Sequence, residues 1–383
     1  MKYILSIFIA LTFSSILPTT LLQNEIVETS ITLAPPPIEQ KILKYMTVEE
    51  KVGQLFMFGI NGTTLTPQTE LFLTEHHIGS VILYGKNVTN DNQVRSLTQE
   101  LQTTNRIPLF ISIDQEGGIV ARLKWNNTLT IAQEDIKTPE QAYTVAKDRG
   151  RMLKEIGINM NLAPVVEYIT NKDSFMYYRV FRGIQDDVIQ KGISSINGYK
   201  QSEVVAVLKH YPGHSDTSPD SHFNLPMVNI PNDQWNEYVK PFSRILEQTS
   251  VDGIMVGHVE YPNIDINPST ISPEIVSKRL IQNLGYTGLI ISDDMEMGAL
   301  KEIDTNISLA KRALLAGNDI LIYSTASDTN SSMQQQVYDY ILQEVTNGNM
   351  NIDEKVLKIL KMKIQYGILQ PNFNFFSSTP TGL

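Results

Sequence analysis

The sequence predicts an α/β protein built as a single (β/α)8 barrel of the TIM type. Three observations carry this. Short apolar runs of strand length recur at 53–60, 79–85, 108–114, 159–166, 204–211, 253–259, 288–294 and 319–324. They are near-continuous in Val, Ile and Leu, as parallel strands buried on both faces require. Helical segments lie between them. Charged side chains gather where these runs end: Asp114 and Glu116 on the third, Lys209 and His210 on the fifth, His258 on the sixth, Asp293 and Asp294 on the seventh. The C-terminal ends of the strands are where a barrel keeps its chemistry.

The helices carry their own signals. Thr47-Val48-Glu49-Glu50 reads as a capping box opening a helix ahead of the first strand. Val94, Leu97 and Leu101 mark one face of a helix after the second. Thr138-Pro139-Glu140-Gln141 supplies an N-cap, a proline at the first helical position and Gln at the third. Residues 306–317 and 354–366 read as further helices. The rival architecture is an open doubly wound sheet, but no G-x-G-x-x-G follows the first strand.

Outside the barrel, at 41–370, the ends differ. Lys2 precedes an apolar stretch from Tyr3 to Leu17, followed by Pro18. That stretch is short for a membrane span and fits an export signal or an uncleaved anchor over residues 1–23. Residues 24–40, with Pro35-Pro36-Pro37, read as an extended linker, and 371–383 as a tail. The formal charge of -10 and the absence of a basic patch argue against nucleic-acid binding. With no cysteine, disulfides, thiolate catalysis and Cys-ligated zinc are excluded.

The densest chemistry lies in the run from Lys209 to His222, which holds His210, His214, Asp216, Asp220 and His222. Asp220-Ser221-His222 sets a carboxylate two residues from an imidazole. Such a pair either tunes an acid/base histidine or merely orders a turn. His210 and His214 stand four apart, a zinc spacing on a helix, but Pro212-Gly213 between them breaks any helix. No G-x-S-x-G elbow is present for a serine hydrolase. In Ser292-Asp293-Asp294 only one of two adjacent strand residues faces the barrel axis. One aspartate is therefore a candidate nucleophile or base and the other a cap or loop partner. After Asp114-Gln115-Glu116, the paired Gly117-Gly118 suits close backbone approach to a ligand, and the carboxylates favour sugar hydroxyls over phosphate. Arg122 and Arg179 are candidate donors to the same ligand. Sequons at Asn61, Asn87, Asn126, Asn306 and Asn330 bear on function only in a eukaryotic secretory route.

Taken together these segments resemble glycoside hydrolase family 3, in its β-N-acetylglucosaminidase branch. The family's K-H-[FY]-P-G-H-G-D-T-x-x-D-S-H is matched by Lys209 to His222, with Ser215 where Gly is usual. Its D-Q-E-G-G-x-V-x-R is matched by Asp114 to Arg122. Its N-L-A-P-V-x-D runs from Asn161 to Glu167, with Glu in place of Asp. Its R-x-F-G begins at Arg179, with the glycine one residue late at Gly183, and its S-D-D-x-x-M-G-A runs from Ser292 to Ala299.

The resemblance implies a retaining mechanism with Asp293 as nucleophile and His222, tuned by Asp220, as acid/base. It implies Asp114, Arg122, Arg179, Lys209 and His210 as the residues holding a GlcNAc unit. It implies no metal or organic cofactor and a GlcNAc-containing glycan as partner; a monomer is expected. With the N-terminal segment, it leads to the expectation of an exported or membrane-tethered enzyme acting on peptidoglycan fragments. Competing readings are a β-glucosidase or glycoside phosphorylase of the same family, a non-catalytic glycan-binding barrel, and a structural wall protein.

Overall fold

The computed structural model describes residues 36–215, 220–325 and 333–371. The segment 1–23, the linker up to residue 35, Asp216 to Pro219 of the histidine-rich loop, Asn330 and the tail from residue 372 lie outside them. Among the described residues no helix is long and apolar enough to cross a membrane.

Eight parallel strands close into a barrel: β1 (Phe56–Gly59), β2 (Ser80–Leu83), β3 (Phe110–Ile113), β4 (Met160–Asn161), β5 (Val205–Tyr211), β6 (Gly253–Val256), β7 (Leu289–Asp294) and β8 (Ile320–Tyr323). Each pairs with its sequence neighbours, and β8 closes on β1 through Phe56–Leu321, Met57–Ile322 and Phe58–Tyr323. Each strand falls within one of the eight apolar runs. β4 is the shortest because Pro164 has no N–H to offer the ladder, although Val165 still bridges Lys209. All of β1, β2, β3, β6 and β8 is buried, while β7 leaves partial exposure only at Asp293 and Asp294, the pair that faces open space.

The chain enters through α1 (Ile38–Tyr45), so folded structure begins ahead of residue 41. α2 (Val48–Gly53) carries the expected capping box: Thr47 Oγ1 accepts from Glu50 N–H at 3.2 Å and Glu50 Oε2 accepts from Thr47 N–H at 3.0 Å. α3 (Pro67–Glu75) and α4 (Asp91–Leu101) follow, and α4 buries the predicted Val94, Leu97 and Leu101. In α5 (Pro139–Glu155) Thr138 is the N-cap, accepting from Gln141 N–H at 3.2 Å. The Gln141 side chain binds Lys137 N–H instead of closing a box on Thr138. Then come α6 (Gln185–Gln201), α7 (Lys240–Gln248), the π-helical α8 (Glu274–Asn283), α9 (Asn306–Ala316), α10 (Met333–Thr346) and α11 (Asp353–Gln365).

Gly117 and Gly118 form the turn of a small hairpin, Gln115–Gly117 against Val120–Ala121, that rises from the end of β3. Gly117 sits at φ +94, and a Cβ there would collide with the Ile131 carbonyl oxygen. The close approach these glycines permit is therefore to the protein's own backbone, not to a ligand as expected.

Candidate active site

A solvent-open cavity of about 650 Å3 sits over the C-terminal ends of the strands. Asp114, Arg122, Arg179, Lys209, His210, His222 and Asp293 all line it. Asp220 stands behind His222. Residues spread across the sequence thus meet because each ends a strand or lies in the loop that follows one.

The floor is a lattice of ion pairs. Lys209, with 2% of its side chain exposed, reaches Asp114 Oδ1 at 2.6 Å and Glu116 Oε1 at 2.7 Å. Glu116 also takes a two-pronged grip from Arg179, Nε at 3.0 Å and Nη2 at 2.7 Å. Arg122 approaches Asp114 Oδ2 at 3.3 Å and lies over the Tyr84 ring. Burial works against charge on Asp114, Glu116, Arg179 and Lys209, but the partners prevail. Lys209 and Arg122 hold Asp114 below its ordinary range, Arg179 and Lys209 hold Glu116 far below it, and Lys209 is pushed up by Asp114 and Glu116. The floor therefore stays ionised across the working pH range. It presents preset donors and acceptors, which is what a ring bearing several hydroxyls requires.

Asp293 and Asp294 both border the cavity, and their oxygens are engaged differently. Asp293 faces the cavity and takes the Asp294 N–H at 2.8 Å. Burial alone would raise its carboxyl. The His210 and His258 rings, that N–H and Lys209 outweigh burial and bring it to about 2. Asp294 turns to the backbone, with Oδ1 accepting from Glu296 N–H at 3.1 Å and Ser324 N–H at 3.2 Å. Burial lifts it to about 6. Its carbonyl accepts from His258 Nε2 at 2.9 Å, so His258 supports the strand end from beneath.

At the rim, His222 Nδ1 meets Asp220 Oδ1 at 2.6 Å, and the same oxygen takes the His222 backbone N–H at 3.0 Å. The carboxylate fixes the proton on Nδ1 and leaves Nε2 as the ring atom that can exchange a proton with a ligand. The His222 side chain is 58% exposed, so it is reachable from solvent.

Three further residues build the site beyond those expected to hold the ligand. Tyr84, one residue before the end of the second apolar run, lies within reach of the strand-end rule that found Asp114. Glu167 and His214 meet with His210: the carboxylate accepts from His210 Nδ1 at 2.8 Å and His214 Nδ1 at 3.1 Å. The ligand atoms of the three lie within 4.8 Å of one another, so among the described residues this group could hold a metal ion.

A (β/α)8 barrel with ionised carboxylates, basic side chains and a histidine gathered over its strand ends places its polar groups where barrels of this type keep their ligand sites. The chain belongs to glycoside hydrolase family 3: residues 47–362 match the model described as the glycosyl hydrolase family 3 N terminal domain. It is 29% identical over 332 residues to beta-hexosaminidase A of Pseudoalteromonas piscicida, covering 79% of this chain and 56% of that protein. It is 30% identical over 276 residues to a beta-hexosaminidase of Alkalilimnicola ehrlichii, covering 70% and 79%. Among solved structures it is similar to a glycoside hydrolase family 3 beta-N-acetylglucosaminidase from Paenibacillus sp. str. FPU-7. There the TM-score is 0.78 at 31% identity, over 84% of this chain and 63% of that one. The chain thus spans about half the length of the Pseudoalteromonas relative.

Proposed function

We propose that the protein is a retaining β-N-acetylglucosaminidase that removes terminal non-reducing GlcNAc from glycans. The observation that carries this is the pairing of an ionised, half-buried Asp293 with the Asp220–His222 couple at one cavity. The names of the relatives, beta-hexosaminidase and beta-N-acetylglucosaminidase, support the choice of sugar.

In the first step an Asp293 carboxylate oxygen attacks the anomeric carbon as the bond to the leaving oxygen breaks. His222 Nε2 delivers its proton to that oxygen. In the second step His222 takes a proton from water, which attacks the same carbon and releases Asp293. Asp220 carries the charge balance when the ring is doubly protonated: hydrogen bonds from His222, backbone and side chain, overcome burial and hold its carboxyl below the ordinary range. Asp114, Arg122, Arg179, Lys209 and His210 bind the sugar. The histidine stands where most glycosidases use a second carboxyl, and imidazole is as good a proton carrier near neutral pH.

The natural substrate proposed is a GlcNAc–MurNAc fragment of peptidoglycan. The proposed location is extracytoplasmic, by way of residues 1–23, and a mature cytosolic protein that retains those residues would overturn that placement. The activity is tested with nitrophenyl β-GlcNAc and β-glucose glycosides on residues 24–383, with and without phosphate. Turnover of the GlcNAc glycoside alone, indifferent to phosphate, is expected. Dependence on phosphate would make the enzyme a phosphorylase, preference for glucose a β-glucosidase, and silence on both sugars would favour glycan binding.

A further inference from the structure

Glu167 is the least expected charge in the molecule. It is buried, with 2% of its side chain exposed, and among the described residues neither Lys nor Arg forms an ion pair with it. Its oxygens are engaged by N–H groups from both ends of one tight loop. Oε1 accepts from His210 backbone N–H at 3.2 Å and His210 Nδ1 at 2.8 Å. Oε2 accepts from the His214 backbone N–H, and His214 Nδ1 lies 3.1 Å from Oε1 and 3.3 Å from Oε2. An ionised carboxylate accepts and never donates, so both rings carry their proton on Nδ1.

The opposite edge of His210 makes the same demand independently. Its Nε2 lies 3.3 Å from Arg179 Nη2. A guanidinium has only donors, so Nε2 has to be the acceptor. Burial and the Arg179 charge bring His210 down to about 4, against the pull of Glu167, which keeps the ring neutral at working pH. His210 lines the cavity beside Asp293.

We propose that Glu167 is a positioning residue that holds His210 in its Nδ1–H form, so that its Nε2 accepts from Arg179 and fixes that guanidinium in the cavity wall that faces the bound sugar. This rests on the glycosidase reading for its ligand and on hydrogen-bond geometry alone for the tautomer. Glu167 also ties the end of β4 to the start of the loop that carries Asp220 and His222.

The substitution Glu167→Gln keeps the shape and reverses part of the pattern. Its amide nitrogen turns two donors toward N–H groups that need an acceptor. The least costly relief is for a ring to move its proton to Nε2, and on His210 that sets donor against donor at Arg179.

The test uses the full chain labelled with 15N in histidine, with long-range 1H–15N spectra assigned by His210→Gln. The expected wild-type result is a His210 protonated at Nδ1 and bare at Nε2 from pH 6 to 8. A His210 protonated at Nε2 overturns the proposal whatever the activity. In Glu167→Gln the His210 pattern is expected to change. On the nitrophenyl β-GlcNAc glycoside kcat/KM is expected to fall roughly a hundredfold, as for a lost buried charged hydrogen bond, with part of the loss in KM. Glu167→Asp is expected to recover at least tenfold of that. A Gln variant with wild-type tautomer and wild-type KM overturns the role. If Glu167→Gln does not fold, the wild-type spectrum and Glu167→Asp kinetics still decide. A wild type with the expected tautomer but no turnover would instead sink the activity proposal and leave the tautomer assignment standing.

Discussion

Asp293 and Asp294 are the same residue type, one position apart, and their environments drive them in opposite directions. Asp293 is held near 2 and Asp294 is lifted to about 6. Asp293→Asn removes the proposed nucleophile and is expected to lower kcat roughly a thousandfold or more. Native-like melting of that variant would confirm that chemistry, not folding, was lost. Asp294 makes a stability prediction. Its folded pKa lies above the ordinary 3.8, so the folded state binds the proton more tightly than the unfolded state. Ionisation therefore costs stability above about pH 6, and the cost is relieved as pH falls toward 4. Asp294→Asn keeps an acceptor for Glu296 and Ser324. It is expected to raise the urea midpoint at pH 8 by an amount worth roughly 1–3 kcal/mol and to lose that advantage near pH 4. An equal gain at both pH values would show that the charge is not the cause.

At the scale of elements, loops decide the site and helices decide little of it. The hairpin after β3 carries Glu116 on one strand and leads into Arg122 on the other, and its turn depends on Gly117. Gly117→Ala forces a Cβ toward Ile131 at a positive φ. It is expected to cost on the order of 1–3 kcal/mol or more, and to raise KM by displacing Arg122. A variant with wild-type melting and KM would show that the turn relaxes freely. In the Asp220–His222 loop, Asp220→Asn is expected to reduce kcat by roughly 10^2–10^4, the usual range for an acid/base group. The loss should be larger for a disaccharide than for a nitrophenyl glycoside, whose leaving oxygen needs less help from a proton. Equal losses on both would argue against His222 as the acid. The helices differ in legibility for a local reason. The openings of α2 and α5 showed in sequence through Thr47 and Thr138. α6 begins after Ile184, whose side chain cannot cap, and Asp187 binds the Ile184 N–H instead. The π-helical winding of α8 leaves no periodic trace in the sequence reading.

Across the whole molecule carboxylates meet cations at both ends of the barrel, Asp114 with Lys209 at the top and Asp319 with Lys358 at the bottom. At the bottom, Lys363 of α11 is fully buried and gives its hydrogen bonds to neutral acceptors, Gln54 Oε1 at 2.7 Å and Gly79 O at 2.9 Å. Burial brings its ammonium down to about 7. The sign follows from linkage: between about pH 7 and 10.5 the unfolded chain holds a proton that the folded chain has released, so stability rises with pH across that window. The rise is expected to be on the order of a few kcal/mol and to vanish in Lys363→Met. A slope that persists in the variant would assign it to another group.

What the sequence by itself determined is everything local. The eight apolar runs, the capped helix openings and the charges at strand ends are all short-range patterns. So is the Asp220–His222 couple, whose members stand two residues apart. What only the tertiary structure decided depends on barrel closure. Closure brings Glu116 to Arg179, gathers His210 and His214 around Glu167, sets Arg122 over Tyr84 and buries Lys363 beneath β1 and β2. These groups are distant in the chain, and nothing in a local pattern says which buried carboxylate will meet which imidazole. That is settled when parallel strands in register carry their ends to one face of the barrel.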